Sequence, residues 1–161
     1  MDFSLTDEQR AIRDTAQKFA ADQLAPFYRE RETQGYIDRA LIERMGSLGL
    51  IGAELPEAFG GLGASSVTGG LIIEDVSYAD MNVGYVQLLG SLMGWMLASH
   101  AKASIAQEVV PRICQGKTMV AIGLTEPGGG SDAANLRLRA TRQGDQFILN
   151  FNGGFIDCHG S

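Results

Sequence analysis

Gly123-Leu124-Thr125-Glu126-Pro127-Gly128-Gly129-Gly130-Ser131-Asp132 follows the short apolar run Met119-Val120-Ala121-Ile122. Three glycines in a row lose backbone entropy on ordering and offer no side chain to pack. Such a run belongs where the backbone turns sharply or lies close against another group. Its N–H groups, flanked by the Thr125 and Ser131 hydroxyls, suit an anion such as a phosphate. The segment also divides the chain by texture: helical periodicities precede it and a strand alternation follows.

Upstream, Thr6-Asp7-Glu8-Gln9 has the form of a capping box. Ile12, Ala16, Phe19, Ala20 and Leu24 then recur at three and four, which predicts a helix over about 7–24, ended or kinked by Pro26. Arg29 to Glu32 predicts an exposed helical turn. Asp38 reads as the cap of a second helix that buries Leu41, Ile42, Met45 and Leu48 and stops at Gly46 and Gly49. Pro56, Gly60, Gly61 and Gly63 mark Leu50 to Ser65 as an irregular loop, packed down by Leu50, Ile51, Leu55, Phe59 and Leu62. Three helices are expected next, over 67–78, 83–99 and 104–115. Downstream, Leu136 to Arg142 alternates as a half-buried strand, Gly144-Asp145 is a turn signal, and 146–150 pairs back as a hairpin. The fold class read from this pattern is mainly α: a helical bundle over 1–117, then the beginning of an antiparallel β region over 118–161. A hairpin is marginal alone, so the β part is expected to be incomplete.

The chain has 161 residues, 45% hydrophobic and 20% charged, with a formal net charge of -6. This is an ordinary globular balance. The acidic charge and the lack of a Lys/Arg cluster argue against nucleic-acid binding, and Arg137 and Arg139 read as a solvated strand face. Val83 to Ala98 is interrupted by glycines and polar residues, so a buried core helix is expected rather than a membrane span. Cys114 and Cys158 have no partner at metal-ligand spacing, so no metal site is expected. The N-terminus has neither the basic nor the apolar region of a secretory signal, and a reducing, cytoplasmic location is expected.

The glycine-rich segment lacks the Gly-Lys-Ser/Thr of a P-loop and the spacing and βαβ setting of a Rossmann fingerprint. Composition alone favours a plain connector. His100 and His159 have no ligand-like neighbours. Cys158 and His159 are adjacent, and on a strand they point to opposite faces, which argues against a nucleophile–base pair. Met93, Trp95 and Met96 are expected in the core, with Gly90 and Gly94 as a minor hint of room for an apolar ligand. Glu74 and Asp75 are expected to face solvent.

Leu124-Thr125-Glu126-Pro127-Gly128-Gly129-Gly130-Ser131-Asp132 resembles the first signature of the acyl-CoA dehydrogenase family. Phe3 to Gln9, Leu48 to Gly52, Pro56 to Gly63, Glu74 to Ser77 and Val110 to Gly116 are similar to further family segments, so the likeness runs from Phe3 to about Asn150. It implies an N-terminal helical domain, a middle β domain and a C-terminal helical domain that these residues do not include. It implies FAD as cofactor, an acyl-CoA substrate oxidised at its α,β bond, an electron-transferring flavoprotein as partner, and a homotetrameric parent.

Carried across, the resemblance makes Thr125 a partner of the flavin pyrimidine edge, with Ile122, Gly123 and Leu124 alongside. Gly130 and Ser131 would approach the pyrophosphate, and Ser131 would also touch the acyl-CoA. Glu126-Pro127 and Asp132 would shape the turn. Phe155 and Ile156 would lie near the isoalloxazine. Asp157 stands where the family has a hydroxyl that bonds flavin N5, and an ionised carboxylate there opposes the charge of reduced flavin. Asn135 departs from the small residue usual at the end of the signature. The family's base, a C-terminal glutamate, has no match in the chain, so no catalytic residue is assigned and the 161 residues alone are expected to be inactive. The alternatives are a non-catalytic helical interaction module and a same-fold acyl-CoA oxidase or flavin monooxygenase.

Overall fold

The computed structural model describes residues 4–128 and 131–149, which fall into two compact units, 4–120 and 121–149. Six α-helices occur among the described residues: α1 Asp7–Phe19, α2 Tyr28–Gln34, α3 Arg39–Ser47, α4 Ser66–Ala79, α5 Met81–His100 and α6 Ala103–Cys114. All six lie in the first unit. The second holds a two-stranded antiparallel sheet, β1 Ala140–Gln143 and β2 Gln146–Leu149.

α1 starts where its capping box predicts. The Gln9 N–H donates to Thr6 Oγ1 at 3.1 Å and the Thr6 N–H to Gln9 Oε1 at 3.0 Å. Ala16 and Phe19 are buried, and the apolar face continues through Ala20 and Leu24, but Ala20–Leu24 is wound as a π-helical turn. A 3₁₀ turn, Ala25–Phe27, then carries Pro26, whose ring nitrogen has no proton to continue the ladder. α2 is not the wholly exposed turn that its charges suggest. The Arg31 side chain is only 11% exposed and its Nε lies 2.7 Å from Asp80 Oδ2, itself 2% exposed.

That ion pair joins three helix ends. Arg31 also donates to the carbonyls of Gln23 (3.3 Å) and Leu24 (2.6 Å), which close the π turn. The Asp80 N–H donates to the Val76 carbonyl at the end of α4, while its Oδ1 accepts from the N–H groups of Asn82 (3.0 Å) and Val83 (3.4 Å) at the start of α5. A cation thus sits at helix carbonyls and an anion at helix N–H groups, each at the end its charge favours.

α3 is capped by Asp38, whose carboxylate accepts from the Ala40 N–H at 3.0 Å. Ile42 and Met45 are buried as expected, whereas Leu48 lies beyond the last turn and is 44% exposed. The long segment between α3 and α4 is packed: Leu50, Ile51, Ala53 and Leu55 are buried, and the Ala53 carbonyl accepts from both Leu62 and Ala64.

The glycines of α5 explain that packing and overturn their reading as room for a ligand. A Cβ on Gly90 would stand 2.7 Å from Ile51 Cγ2, and one on Gly94 would overlap Leu55 Cδ1. The space is filled by the preceding loop. A Cβ on Gly84 would likewise collide with Ser77 of α4. Met93 is buried as expected, but Trp95 and Met96 are each 46% exposed and share a face with Leu88 and Leu92. The pattern misleads here because α5 is apolar nearly all round, so its sequence does not mark which side is covered.

In the second unit the strand is shorter than its alternation. β1 begins at Ala140, and Leu136 to Arg139 lie outside the sheet. The hairpin register pairs Ala140 with Leu149 and Gln143 with Gln146 about the Gly144-Asp145 turn, where Gly144 has a φ of 61°. All eight strand residues are exposed, not half-buried.

Removing one partner of a buried ion pair leaves an uncompensated charge, a loss of about 3–5 kcal/mol. Arg31→Met is therefore expected to lower the unfolding free energy by that order in urea denaturation. Gly94→Val overpacks the contact with Leu55, and a loss of about 1–3 kcal/mol or more is expected in the same assay.

Candidate functional site

The glycine-rich segment opens the second unit. Ile122 is half-buried and Gly123 is exposed; Leu124 is 42% exposed, and Thr125 and Ser131 are exposed. No described residue hydrogen-bonds the side chain of Thr125 or Ser131. Gly130, Phe155, Ile156 and Asp157 lie outside the described residues, as do Cys158 and His159.

Glu126 is what organises the described part of the segment. Its Oε2 accepts the Arg137 N–H at 2.7 Å and its Oε1 the Leu138 N–H at 2.7 Å. One carboxylate therefore ties the start of the segment to a stretch eleven and twelve residues on. These bonds take up the backbone donors of Arg137 and Leu138, in the middle of the alternation that does not become strand. The second acid, Asp132, accepts from its near neighbour Asn135: the side-chain amide meets the carboxylate and the Asn135 N–H meets the Asp132 carbonyl at 3.1 Å. Both carboxylates of the segment are engaged with the chain itself. The Arg137 guanidinium lies beside Gly128, its Cζ 3.8 Å from where a Cβ on Gly128 would be.

The helical unit holds two polar groupings that the sequence pattern did not reveal. Ser91 on α5 donates to Glu54 Oε2 at 2.9 Å, and buried Gln87 donates to Ser91 Oγ at 3.4 Å. Glu54 reaches α5 past Gly69, where any Cβ would collide with its side chain. On the surface, Asp75 does not simply face solvent: its side chain is 11% exposed and accepts from Arg13 Nε and Gln17 Nε2, both at 3.2 Å. His100 ends α5 in solvent. Among the described residues no group of three or more His, Cys, Asp or Glu is placed to hold a metal ion, and no helix is long and apolar enough to cross a membrane.

Cys114 is free and buried with Leu55, Ala106 and Val110. Burial pushes its thiol above the ordinary value of 9.0; a backbone hydrogen bond at Cys114 opposes this and the nearby Glu54 charge adds to it. The thiolate is the reactive form, so the group is inert at neutral pH.

The family described as acyl-CoA dehydrogenase, N-terminal domain, matches residues 6–117. The chain belongs to the acyl-CoA dehydrogenase family, whose members are flavoprotein oxidoreductases, and its helical bundle followed by a small antiparallel sheet has that family's fold. The long-chain specific acyl-CoA dehydrogenase of Rattus norvegicus mitochondria is 29% identical over 94% of this chain and 35% of its own length. A chain from the solved structure of the electron transferring flavoprotein of Acidaminococcus fermentans superposes with a TM-score of 0.85 at 34% identity, covering 94% of this chain and 40% of that one. A glutaryl-CoA dehydrogenase from Mycobacterium smegmatis, solved in complex with FADH2, superposes at 0.82 with 26% identity, covering 91% of this chain and 38% of that one. The chain thus spans no more than two fifths of the length of these relatives.

A raised folded-state pKa means the folded chain holds the Cys114 proton more tightly than the unfolded chain. Its contribution is complete below the unfolded value and is lost as pH rises through the folded one. The stability difference between wild type and Cys114→Ala is expected to shrink as pH rises above 9.0, measured by urea denaturation. An unchanged difference up to about pH 10 would contradict the burial argument.

Proposed function

We propose that this protein is a flavin-dependent acyl-CoA dehydrogenase, with residues 1–117 its N-terminal helical domain and 118–161 the first part of its middle β domain. The observation that carries the reading is the segment from Ile122 to Ser131, whose two hydroxyls have no described partner and whose turn is held by Glu126.

Those residues fit FAD. The Thr125 hydroxyl would hydrogen-bond the pyrimidine edge, with Ile122, Gly123 and Leu124 lying alongside. Ser131 would donate to the pyrophosphate and touch the acyl-CoA. Glycine at 128 to 130 would let backbone N–H groups approach an anion with no Cβ in the way. Phe155, Ile156 and Asp157 would complete the contacts with the isoalloxazine. The flavin, when bound, supplies the two-electron oxidation of the thioester's α,β bond. The chain's own residues bind and orient; none of them matches the family's glutamate base, so we expect no turnover from these 161 residues alone.

The relatives' names support an acyl-CoA substrate, and the solved electron transferring flavoprotein supports that class of electron acceptor. We extend both to this protein, with the homotetramer usual in the family, and place it in the cytoplasm, where a free, buried Cys114 is kept reduced. A second reading has one observation in its favour. Leu88, Leu92, Trp95 and Met96 form a half-exposed apolar face on α5, as a module that binds a protein partner would present.

The intact protein is expected to show a flavin absorbance spectrum that bleaches anaerobically on addition of an acyl-CoA, and Thr125→Val is expected to loosen the flavin by about tenfold. A colourless protein that binds another protein stoichiometrically would favour the module.

A further inference from the structure

Nothing on the Thr125 side chain itself fixes it. The residue is exposed and its hydroxyl makes no hydrogen bond among the described residues, so the main chain alone sets where that hydroxyl stands. Threonine is branched at Cβ and has few χ1 rotamers, so holding the backbone at 125 goes far toward holding the hydroxyl. Part of the restraint is local: Pro127 confines the residue before it, Glu126, to extended conformations. Beyond Pro127 the sequence runs into three glycines, and glycine has more conformational freedom to lose on ordering than any other residue. A segment of that composition needs a tie from outside itself.

Glu126, next to Thr125, makes that tie. Its Oε2 accepts the Arg137 N–H and its Oε1 the Leu138 N–H, both at 2.7 Å, the short end of the range for a charge-assisted bond. Consecutive N–H groups of a strand point to opposite sides, so a carboxylate that takes both also holds these two residues out of the sheet, just before β1 begins at Ala140. Among the described residues no other side chain bonds across from 121–128 to 136–149. Asp132, the other acid of the loop, reaches only Asn135, three residues on.

We propose that Glu126 is a positioning residue for the flavin: it closes the loop between its own position and Arg137–Leu138, and so places Thr125, whose hydroxyl meets the cofactor. The inference rests on the flavin reading and adds to it a residue that acts without touching the flavin. Both carboxylate oxygens are needed, at the reach of a glutamate. Gln accepts one N–H and turns its own amide N–H₂ against the other. Asp keeps the charge and falls one methylene short.

The test measures the dissociation constant of the intact protein for FAD and the absorption spectrum of the bound flavin. Glu126→Gln and Glu126→Asp are each expected to weaken FAD by about tenfold, the factor expected of Thr125→Val, and to move the flavin bands toward those of free FAD. In the Thr125→Val background the same substitutions should add little, because the bond they misplace is already gone. Circular dichroism confirms that each variant is folded, and either of the two Glu126 variants suffices if the other is not. A loss as large in the Thr125→Val background as in wild type overturns the inference, since the effect then does not pass through Thr125. Equal affinities and unshifted spectra in wild type and the Glu126 variants overturn it too, and leave the flavin reading standing. Wild-type protein that binds no FAD sinks the flavin reading and the inference with it.

Discussion

The helical unit depends on one buried contact, the pair between Arg31 and Asp80. Ions are expensive to remove from water, and a buried pair is tolerated only where its remaining donors and acceptors are satisfied. Here they are satisfied by helix ends. Arg31 takes the last carbonyls of the π turn after α1, and Asp80 takes the first N–H groups of α5 while its own N–H closes α4. The pair therefore does what separate caps do elsewhere, at a point where three helices must stop or start within a few residues. It also explains the π turn: the chain is wound to present the carbonyls of Gln23 and Leu24 to a cation that arrives from α2.

With its helix ends fixed, the unit packs a loop as well as neighbouring helices against α5. Ile51 and Leu55 press into α5 where Gly90 and Gly94 have no side chain, and Glu54 reaches Ser91 over Gly69. This leaves α5 with one face filled by the loop and another, through Leu88, Leu92, Trp95 and Met96, half-exposed. Glycines that read as spare room in the sequence are the places where two backbones come nearest.

The legible parts of the chain were those with local causes. Thr6 and Gln9 cap α1 three residues apart, Asp38 caps α3 two residues from its partner, and Gly144-Asp145 turns the hairpin; each signal and its effect fit in one window. The illegible parts join residues far apart. Arg31 and Asp80 are separated by 49 positions, Glu54 and Ser91 by 37, and nothing in the periodicity around either residue names its partner. Leu136 to Arg139 alternates as well as any strand, yet Glu126 takes the N–H groups of Arg137 and Leu138. Trp95 and Met96 failed for a different reason: a helix apolar on all sides gives no phase.

In the site itself, the residue types of the glycine-rich segment pointed to an anion, while the family likeness supplied the flavin. The likeness also had Glu126 shaping the turn; what the sequence withheld was its partners, the N–H groups of Arg137 and Leu138. The central claim is that this segment, and not the helical unit, meets the cofactor. Hydrogen–deuterium exchange of the intact protein with and without FAD tests it most directly. The account predicts that FAD slows exchange in peptides spanning Ile122 to Ser131 and leaves those of α1 to α3 unchanged. Equal exchange at Ile122 to Ser131 in the two states, with protection confined to the helices, would contradict it.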